Sequence, residues 1–262
     1  MNRILILVIV IYVGLGLMLY LMQRSFIYFP TEVVEHRFDE VIFENDDVST
    51  TSILLNKGQD KAIIYFGGNA ENVAFTAPEF EQALLETELL EPELSAYSVY
   101  LVNYRGYASS EGSPSEAALL SDALAMYDSL ALTHESVFVI GRSLGSGVAS
   151  YIASERPVKK LVLVTPFDSI QSIAQKQFPF YPMSILLKDK FNSVARAGNI
   201  YCDTLILGAE YDKIVRRIHT DKLIQALVNR APEVIFIQGA GHNDISQHAT
   251  YYQSISAFLH SH

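Results

Sequence analysis

The chain has 262 residues, half of them hydrophobic, which suits one α/β domain with room for a short appendage. Acidic residues outnumber basic ones by 29 to 19, and the basic residues form no cluster of the kind that nucleic-acid binding requires, so we predict no nucleic-acid partner. A single cysteine, Cys202, excludes an intrachain disulfide and a cysteine-based zinc cluster.

The first segment, Ile4–Met22, is a run of 19 residues without a charge. At about 1.5 Å per residue, a helix of this length measures about 28 Å, close to the hydrocarbon core of a bilayer. It lacks both the polar face of a globular helix and the small-residue site at which signal peptides are cleaved. We therefore predict a single-pass anchor over residues 1–24 that contacts the bilayer through residues 4–22. Arg3 and Arg24 flank the segment so evenly that the positive-inside rule selects neither orientation.

A connector over residues 25–39 follows, in which Pro30 stops any helix. From about residue 40, apolar strand-like runs alternate with helix-like stretches. The predicted strands are Glu40–Phe43, Thr51–Leu55, Ala62–Phe66, Val99–Asn103, Val137–Ile140, Leu161–Val164, Thr204–Leu207 and Val234–Ile237. The predicted helices are Phe75–Leu90, Ala117–Leu130, Leu144–Glu155, Thr220–Val228 and Tyr251–His260. This alternation predicts one domain over residues 40–262, with an eight-stranded, mostly parallel sheet and helices on both faces.

A Gly-Arg-Ser-Leu-Gly sequence lies between the fifth predicted strand and the helix that follows it. A serine on a sharp turn from a strand into a helix has a strained backbone, so its neighbours must be small, and Gly141 and Gly145 meet that need. The start of the helix directs free N–H groups and the positive end of its dipole toward the serine oxygen. We predict that Ser143 is a nucleophile.

A nucleophilic serine needs a base, and the base needs an acid that orients it. Among seven histidines, His242 stands out because it lies on a glycine-rich loop directly after the last predicted strand. Asp212 follows the seventh predicted strand and precedes His242, which gives the chain order Ser, Asp, His. Asp168, after the sixth strand, is the rival acid, and Glu210 is a weaker one.

The negative charge that develops on the substrate oxygen requires two N–H donors, which together form an oxyanion hole. One donor is expected from the backbone of Leu144, the residue after the nucleophile. We assign the other to the backbone N–H of Asn69, because Gly67 and Gly68 before it allow the loop to approach the substrate. The same Gly-Gly-Asn sequence also suits an ordinary turn from a strand into a helix, so that alternative stays open.

Residues 23–262 resemble the α/β-hydrolase superfamily, most closely its small membrane-anchored branch, which includes depalmitoylases and serine aminopeptidase-like proteins. The residues that carry the resemblance are Gln23–Pro30, Phe66–Asn72, Asn103–Tyr107, Gly112–Glu116, Gly141–Gly147, Gly208–Asp212 and Gly239–Asp244. The resemblance implies the α/β-hydrolase fold with a short cap over about residues 169–199, in which Phe178–Pro182 would supply an aromatic wall. Two departures are Phe66-Gly67, where family members often have His before the Gly, and Asn103, where they tend to have Asp.

Together these features predict a serine hydrolase that cleaves an ester, thioester or amide through an acyl-enzyme. Ser143 attacks the carbonyl, His242 takes the proton and later activates water, and Asp212 fixes the tautomer of His242. This chemistry implies no metal and no organic cofactor. Because the anchor holds the domain at a bilayer, we expect an acyl-bearing substrate, either a lipid or a lipidated protein.

Two alternatives remain at the level of sequence. The first is an aminopeptidase-like amidase, which would need an acidic group for the substrate amine; the candidates are Glu71, Glu111 and Asp168. The second is a non-catalytic, membrane-tethered binding protein on the same fold, since a fold does not determine a function. Labelling by a fluorophosphonate probe separates the second alternative from an enzyme.

Overall fold

A computed structural model of the chain describes residues 3–85 and 94–261. The strands are β1 (Asp39–Asn45), β2 (Val48–Leu55), β3 (Lys61–Phe66), β4 (Tyr97–Val102), β5 (Ser136–Arg142), β6 (Lys160–Val164), β7 (Asp203–Ala209) and β8 (Glu233–Ile237). The helices are α1 (Arg3–Ile27), α2 (Val73–Leu85), α3 (Glu116–Ala131), α4 (Leu144–Glu155), α5 (Ile170–Gln177), α6 (Met183–Leu186), α7 (Ser193–Ala197), α8 (Arg217–Ala226) and α9 (Ala249–His260).

The eight strands form one sheet in the order β1-β2-β4-β3-β5-β6-β7-β8. The pairs β1–β2 and β2–β4 are antiparallel, and all the other pairs are parallel. This confirms the predicted eight-stranded, mostly parallel sheet with helices around it. The carboxyl ends of β3 and β5–β8 therefore meet at one edge, where ligands bind in sheets of this kind.

Both faces of the sheet are apolar, as a doubly covered sheet requires. Along β3, Ile64 and Phe66 pack in one core cluster with residues of α3 and α4, whereas Ile63 and Tyr65 pack in a second cluster with residues of α2 and α9. Alternate side chains of a strand point to opposite faces, so a fully buried strand is apolar at every position instead of every second one. This explains why the central strands contain uninterrupted apolar runs.

Some helix boundaries differ from the prediction. The helix predicted over Phe75–Leu90 is found as α2, and its predicted residues 86–90 lie outside the described residues. Helix α8 begins at Arg217, three residues earlier than predicted, so His219 lies inside the helix and not before it. Helix α1 continues to Ile27, into the predicted connector, because Ile27 is buried in the core.

The region predicted as a cap, residues 169–199, contains the three short helices α5, α6 and α7. Ser169 begins α5 by accepting a hydrogen bond from the backbone N–H of Ser172 at 3.0 Å, a typical N-cap. The cap contacts α1: the Arg24 guanidinium forms an ion pair with Asp189 at 2.9 Å, and the Gln23 amide donates to the carbonyl of Leu186 at 3.1 Å. The N-terminal helix is thus joined to the domain through the cap.

Candidate active site

Ser143 lies on the turn between β5 and α4, with backbone angles φ 51° and ψ −115°. A positive φ is costly for a residue with a side chain, and such strain is typical of functional sites. The two glycines predicted to support the turn leave no room for a side chain. A Cβ on Gly141 would collide with the carbonyl of Gly145, and a Cβ on Gly145 would collide with the carbonyl of Phe66. Because neither residue has a side chain, α4 can start directly against β3 and β5.

His242 connects Ser143 to Asp212. Its Nε2 lies 2.9 Å from Oγ of Ser143, and its Nδ1 lies 2.7 Å from Oδ2 of Asp212. The other oxygen of Asp212 accepts from the backbone N–H groups of Ile214 at 2.9 Å and Val215 at 2.7 Å, which fixes the carboxylate. These contacts suit the tautomer in which Nδ1–H donates to Asp212 and Nε2 accepts the serine proton. The structure therefore brings together the three residues predicted as a triad.

The rival acids are occupied elsewhere. Oδ1 of Asp168 accepts from His219 at 2.8 Å, and Oδ2 accepts from Lys222 at 3.2 Å. Burial acts to raise the pKa of Asp168, but hydrogen bonds from Ser172, the backbone of Ser169, His219 and Lys222 outweigh it and hold that pKa below its ordinary value. The carboxylate of Glu210 accepts from the backbone of Gly239 at 2.8 Å. Neither rival orients His242.

The loop after β3 lies beside Ser143 and carries the predicted oxyanion donor Asn69. Its side chain donates to the carbonyl of Ile27 at 2.8 Å, and its own carbonyl accepts from the backbone of Phe29 at 3.1 Å and the Tyr107 hydroxyl at 2.6 Å. These bonds tie the loop to the end of α1, to Phe29 just after it and to Tyr107. Asn69 and Leu144 both line the cavity in front of Ser143, and their role as N–H donors to the oxyanion remains a prediction.

Glu71 braces the same loop. Its carboxylate accepts from the backbone of Gly68 at 2.8 Å, Tyr65 at 2.8 Å and Thr76 at 2.7 Å. A Cβ on Gly67 would lie 2.8 Å from the Glu71 carboxyl carbon, so a side chain there would displace the carboxylate. The Glu71 carboxylate thus holds the loop in place next to Gly67 and Gly68.

Arg142, the residue before the nucleophile, connects this loop to the loop of His242. Its guanidinium lies 3.5 Å from Glu71 and donates to the carbonyl of Asn243 at 2.9 Å. Burial opposes the charge of Arg142, but the neighbouring Tyr65, Glu71 and Tyr251 outweigh this effect and raise its pKa. The pair of Arg142 and Glu71 was not predicted from the sequence. The available signal was Arg142 itself, a charged residue at the end of an apolar strand and directly beside the predicted nucleophile.

A cavity of about 680 Å³ opens in front of Ser143, within the size range of small-molecule sites. Its walls come from the catalytic loops, the cap and, unexpectedly, helix α1. The apolar members are Leu19, Phe26, Ile27, Ala70, Leu144, Phe167, Ile170, Ile173, Ala174, Phe178, Met183, Leu186, Leu187, Ile214 and Val215. Across residues 3–85 and 94–261, no group of three or more His, Cys, Asp or Glu side chains is arranged to hold a metal ion.

Residues 61–199 match the family model for the alpha/beta hydrolase fold. An uncharacterized protein of Mycobacterium tuberculosis is 30% identical over 237 residues, which cover 85% of this chain and 81% of the relative. The chain therefore belongs to the α/β-hydrolase fold family, as its motifs predicted, and this fold supports a hydrolase.

Other relatives agree with this assignment. An uncharacterized membrane protein of Saccharomyces cerevisiae is 32% identical over 62% of this chain and 60% of its own length. Among solved structures, an esterase of Pyrococcus furiosus superposes with a TM-score of 0.70 at 18% identity, covering 88% of this chain and 95% of the esterase. A thioesterase domain from the curacin biosynthetic pathway gives a TM-score of 0.58 at 14% identity, over 86% of this chain and all of that domain. At identities this low, the two superpositions show a shared fold alone.

Proposed function

We propose that this protein is a membrane-anchored serine hydrolase that cleaves acyl esters or thioesters through an acyl-enzyme. The observation that carries the proposal is the continuous hydrogen-bonded chain from Ser143 through His242 to Asp212, placed at the mouth of an apolar cavity. A serine on a strained turn, with a base and a fixed acid in line, is the arrangement that activates a hydroxyl for attack on a carbonyl.

The reaction follows from these contacts. Oγ of Ser143 attacks the substrate carbonyl while Nε2 of His242 takes its proton, and the Asp212 carboxylate stabilises the imidazolium that forms. The N–H groups of Leu144 and Asn69 receive the oxyanion. His242 then returns the proton to the leaving group, and a water molecule that it activates next releases the acid and frees Ser143. The proton of Ser143 thus leaves with the first product, and a proton that His242 takes from the water molecule restores the Ser143 hydroxyl.

Membrane anchoring rests on α1. Among the described residues, it is the helix long and apolar enough to cross a bilayer. From Ile4 to Met22 its side chains are exposed apart from Gly16, which is buried, and Leu19, which is partly buried, whereas the core helix of a globular protein would be covered. The Saccharomyces relative bears the name of a membrane protein, which agrees with this proposal.

The aminopeptidase-like alternative is disfavoured by the positions of its candidate acids. Glu71 is held by three hydrogen-bond donors and lies beside Arg142, and Asp168 is held by His219 and Lys222. Glu111 is exposed and lies outside the cavity lining. A substrate amine therefore meets no free carboxylate among these three. An apolar cavity instead favours the acyl side of an ester or thioester.

The test uses the full-length protein in detergent and a series of p-nitrophenyl esters from acetate to decanoate. We expect kcat/KM to rise with chain length, because each buried CH₂ contributes about 0.8 kcal/mol, or nearly fourfold. A profile that is flat or highest for acetate would contradict the preference for long acyl chains. Absence of fluorophosphonate labelling at Ser143 would instead favour the non-catalytic binding protein.

A further inference from the structure

Helix α1 is more than a tether, because it forms part of the wall of the catalytic cavity. Leu19 and Phe26 of α1 line the cavity together with Phe178, Met183 and Leu186 of the cap. Leu19 is partly exposed and lies within the uncharged run, whereas Phe26 is 54% exposed and lies beyond Arg24, past the end of that run. If α1 lies in a bilayer, Leu19 brings the cavity wall to the depth of the lipid chains, and Phe26 lies at the interface.

The cap contacts α1 far along its apolar run. The rings of Tyr12 and Tyr181 stack with centroids 4.7 Å apart. The hydroxyl of Tyr12 donates to the carbonyl of Phe180 at 2.7 Å, and the hydroxyl of Tyr181 donates to the carbonyl of Tyr12 at 3.0 Å. Tyr12 lies near the middle of the uncharged run, about 15 Å from Met22 at 1.5 Å per residue. The tip of the cap is therefore held beside the centre of the run and not beside its end.

The carbonyl groups of this tip suit an apolar environment. Irregular backbone inside a bilayer is tolerated where its polar groups have partners within the protein. Hydrogen bonds reach the carbonyls of Phe178, Phe180, Tyr181 and Pro182, donated by the Tyr181 N–H, the Tyr12 hydroxyl, the Gln175 amide and the Ile185 N–H respectively. Pro179 and Pro182 carry no N–H at all, which removes two donors that lipid could not satisfy.

A polarity gradient runs along the contact between the cap and α1. At the tip, Phe180 is 83% exposed, and Ile185 nearby is 79% exposed. At the base, Arg24 pairs with Asp189 at 2.9 Å, and the Lys188 ammonium lies 4.4 Å from the ring centre of Tyr20. Basic and tyrosine side chains at one end of an apolar helix are typical of the membrane–water interface. The gradient thus matches a cap with its base at the interface and its tip in lipid.

We infer that the cap segment Phe178–Leu187 enters the bilayer beside α1, and that α1 and the cap together receive an acyl chain directly from the hydrocarbon. This inference rests on the proposed anchoring and acyl-hydrolase activity. It deepens them by naming the substrate as a molecule whose acyl chain lies in the bilayer, and by making Leu19 and Phe26 of α1 part of the substrate site.

The depth of the cap can be measured without any activity, because the chain contains no tryptophan. A Phe180→Trp variant places one tryptophan at the tip, and Leu132→Trp places one at an 87% exposed position on α3's C-terminal flank as a matched control. Both are reconstituted in liposomes with lipids brominated along the acyl chain. We expect bromolipids to quench the tryptophan at position 180 and to leave that at position 132 nearly unchanged. Equal quenching of the two would overturn insertion of the cap.

The substrate wall is tested with Leu19→Trp, which fills the cavity from α1, and Leu21→Trp, which adds the same ring at a 69% exposed position outside the lining. We expect Leu19→Trp to lower the ratio of kcat/KM for decanoate to that for acetate about tenfold, equivalent to excluding about two CH₂ groups. The ratio should stay at its wild-type value in Leu21→Trp. Equal ratios in both variants would overturn the role of α1 in substrate binding.

Failure of the proposed function gives different results. A full-length protein that does not float with liposomes would overturn the anchoring itself, and with it the insertion of the cap. A Ser143→Ala variant that still hydrolyses esters would overturn the assigned chemistry, while the tryptophan depth measurement would stand.

Hydrolysis of a monoacylglycerol in liposomes but not of an S-acylated peptide, or the reverse, identifies which molecule carries the chain; cleavage of neither would overturn the inferred substrate class.

Discussion

Two aspartate–histidine pairs lie at the same edge of the sheet, after the neighbouring strands β6 and β7. The Asp212–His242 pair is joined at 2.7 Å and the Asp168–His219 pair at 2.8 Å, and all four side chains are nearly completely buried. The pairs differ in what each histidine meets next. His242 reaches Oγ of Ser143, whereas His219 lies within α8 and its aspartate is also bound by Lys222.

The comparison separates the pair proposed as catalytic from a buried acid–base pair that meets no nucleophile among the described residues. Both pairs satisfy the same rule that buried polar groups have hydrogen-bond partners. What distinguishes the first pair is a nucleophile in a strained conformation, whose φ of 51° is maintained by the packing of Gly141 and Gly145. In the second pair, the hydrogen bonds of Asp168 join β6, the start of α5 and α8, which is a structural role. Mutations can separate the two roles.

The largest effect is expected from Ser143→Ala. Removing the hydroxyl leaves His242 and Asp212 without a nucleophile, and loss of a triad serine typically lowers kcat by about 10⁴- to 10⁶-fold. Steady-state hydrolysis of a p-nitrophenyl ester and fluorophosphonate labelling measure the loss, and circular dichroism checks that the fold is retained. A variant that keeps a tenth of wild-type kcat would show that Ser143 is not the nucleophile.

The next effect distinguishes the two aspartates directly. Asp212→Asn keeps the shape of the side chain but favours the wrong tautomer of His242, which in other triads lowers kcat about 10⁴-fold. Asp168→Asn is the matched control, because the same change is made in the other pair, and it should leave kcat within a few-fold of wild type. Tolerance at Asp212 together with a large loss at Asp168 would reverse the assignment of the acid.

A smaller effect is expected from Arg142→Gln, which removes the link between the loop after β3, through Glu71, and the loop that carries His242. Displacement of catalytic groups by about 1 Å can cost about 100-fold, so we expect kcat to fall by about 10- to 100-fold with little change in KM. Arg142→Lys should not restore it, because lysine cannot reproduce a planar guanidinium that binds two partners. The control is Arg156→Gln, which breaks a more exposed pair with Asp128 far from the site. Equal kinetics for both glutamine variants would leave Arg142 without a positioning role.

The sheet could be predicted from the sequence because its signals are local. Uninterrupted apolar runs mark strands covered on both faces, and Ser143, Asp212 and His242 each follow such a run within a few residues. The remaining features depend on contacts between distant parts of the chain. Arg142 and Glu71 are 71 residues apart, and Tyr12 and Tyr181 are 169 residues apart, so no local pattern joins them.

Cys202 illustrates the opposite case, because its burial could be predicted from its position in the sequence. It precedes the predicted apolar strand Thr204–Leu207, a position that favours a partly buried, unreactive thiol. The structure places it just before β7, where burial raises its pKa to about 11. A thiol with this pKa is almost fully protonated at neutral pH and is a poor nucleophile. Burial could be inferred here because it depends on the neighbouring residues of one strand.

The smallest kinetic effect, and a distinct effect on stability, is expected from Asp168→Asn. Loss of charged hydrogen bonds to His219, Lys222 and the backbone of Ser169 should reduce the free energy of unfolding by about 1–3 kcal/mol at pH 7. Because the pKa of Asp168 is lowered in the folded protein, its contribution is complete above the ordinary carboxyl value of 3.8 and is lost as the pH falls through the lower folded value. The difference in Tm between wild type and variant should therefore be constant from pH 7 to about 5 and shrink below 3.8.

Asp244→Asn, on the His242 loop, provides a comparison, since its carboxylate accepts from the backbone of Gly241 and joins no separate elements. A Tm difference for Asp168→Asn that grows at low pH would show that the aspartate is not stabilised as the anion, and the structural role of the second pair would then be wrong.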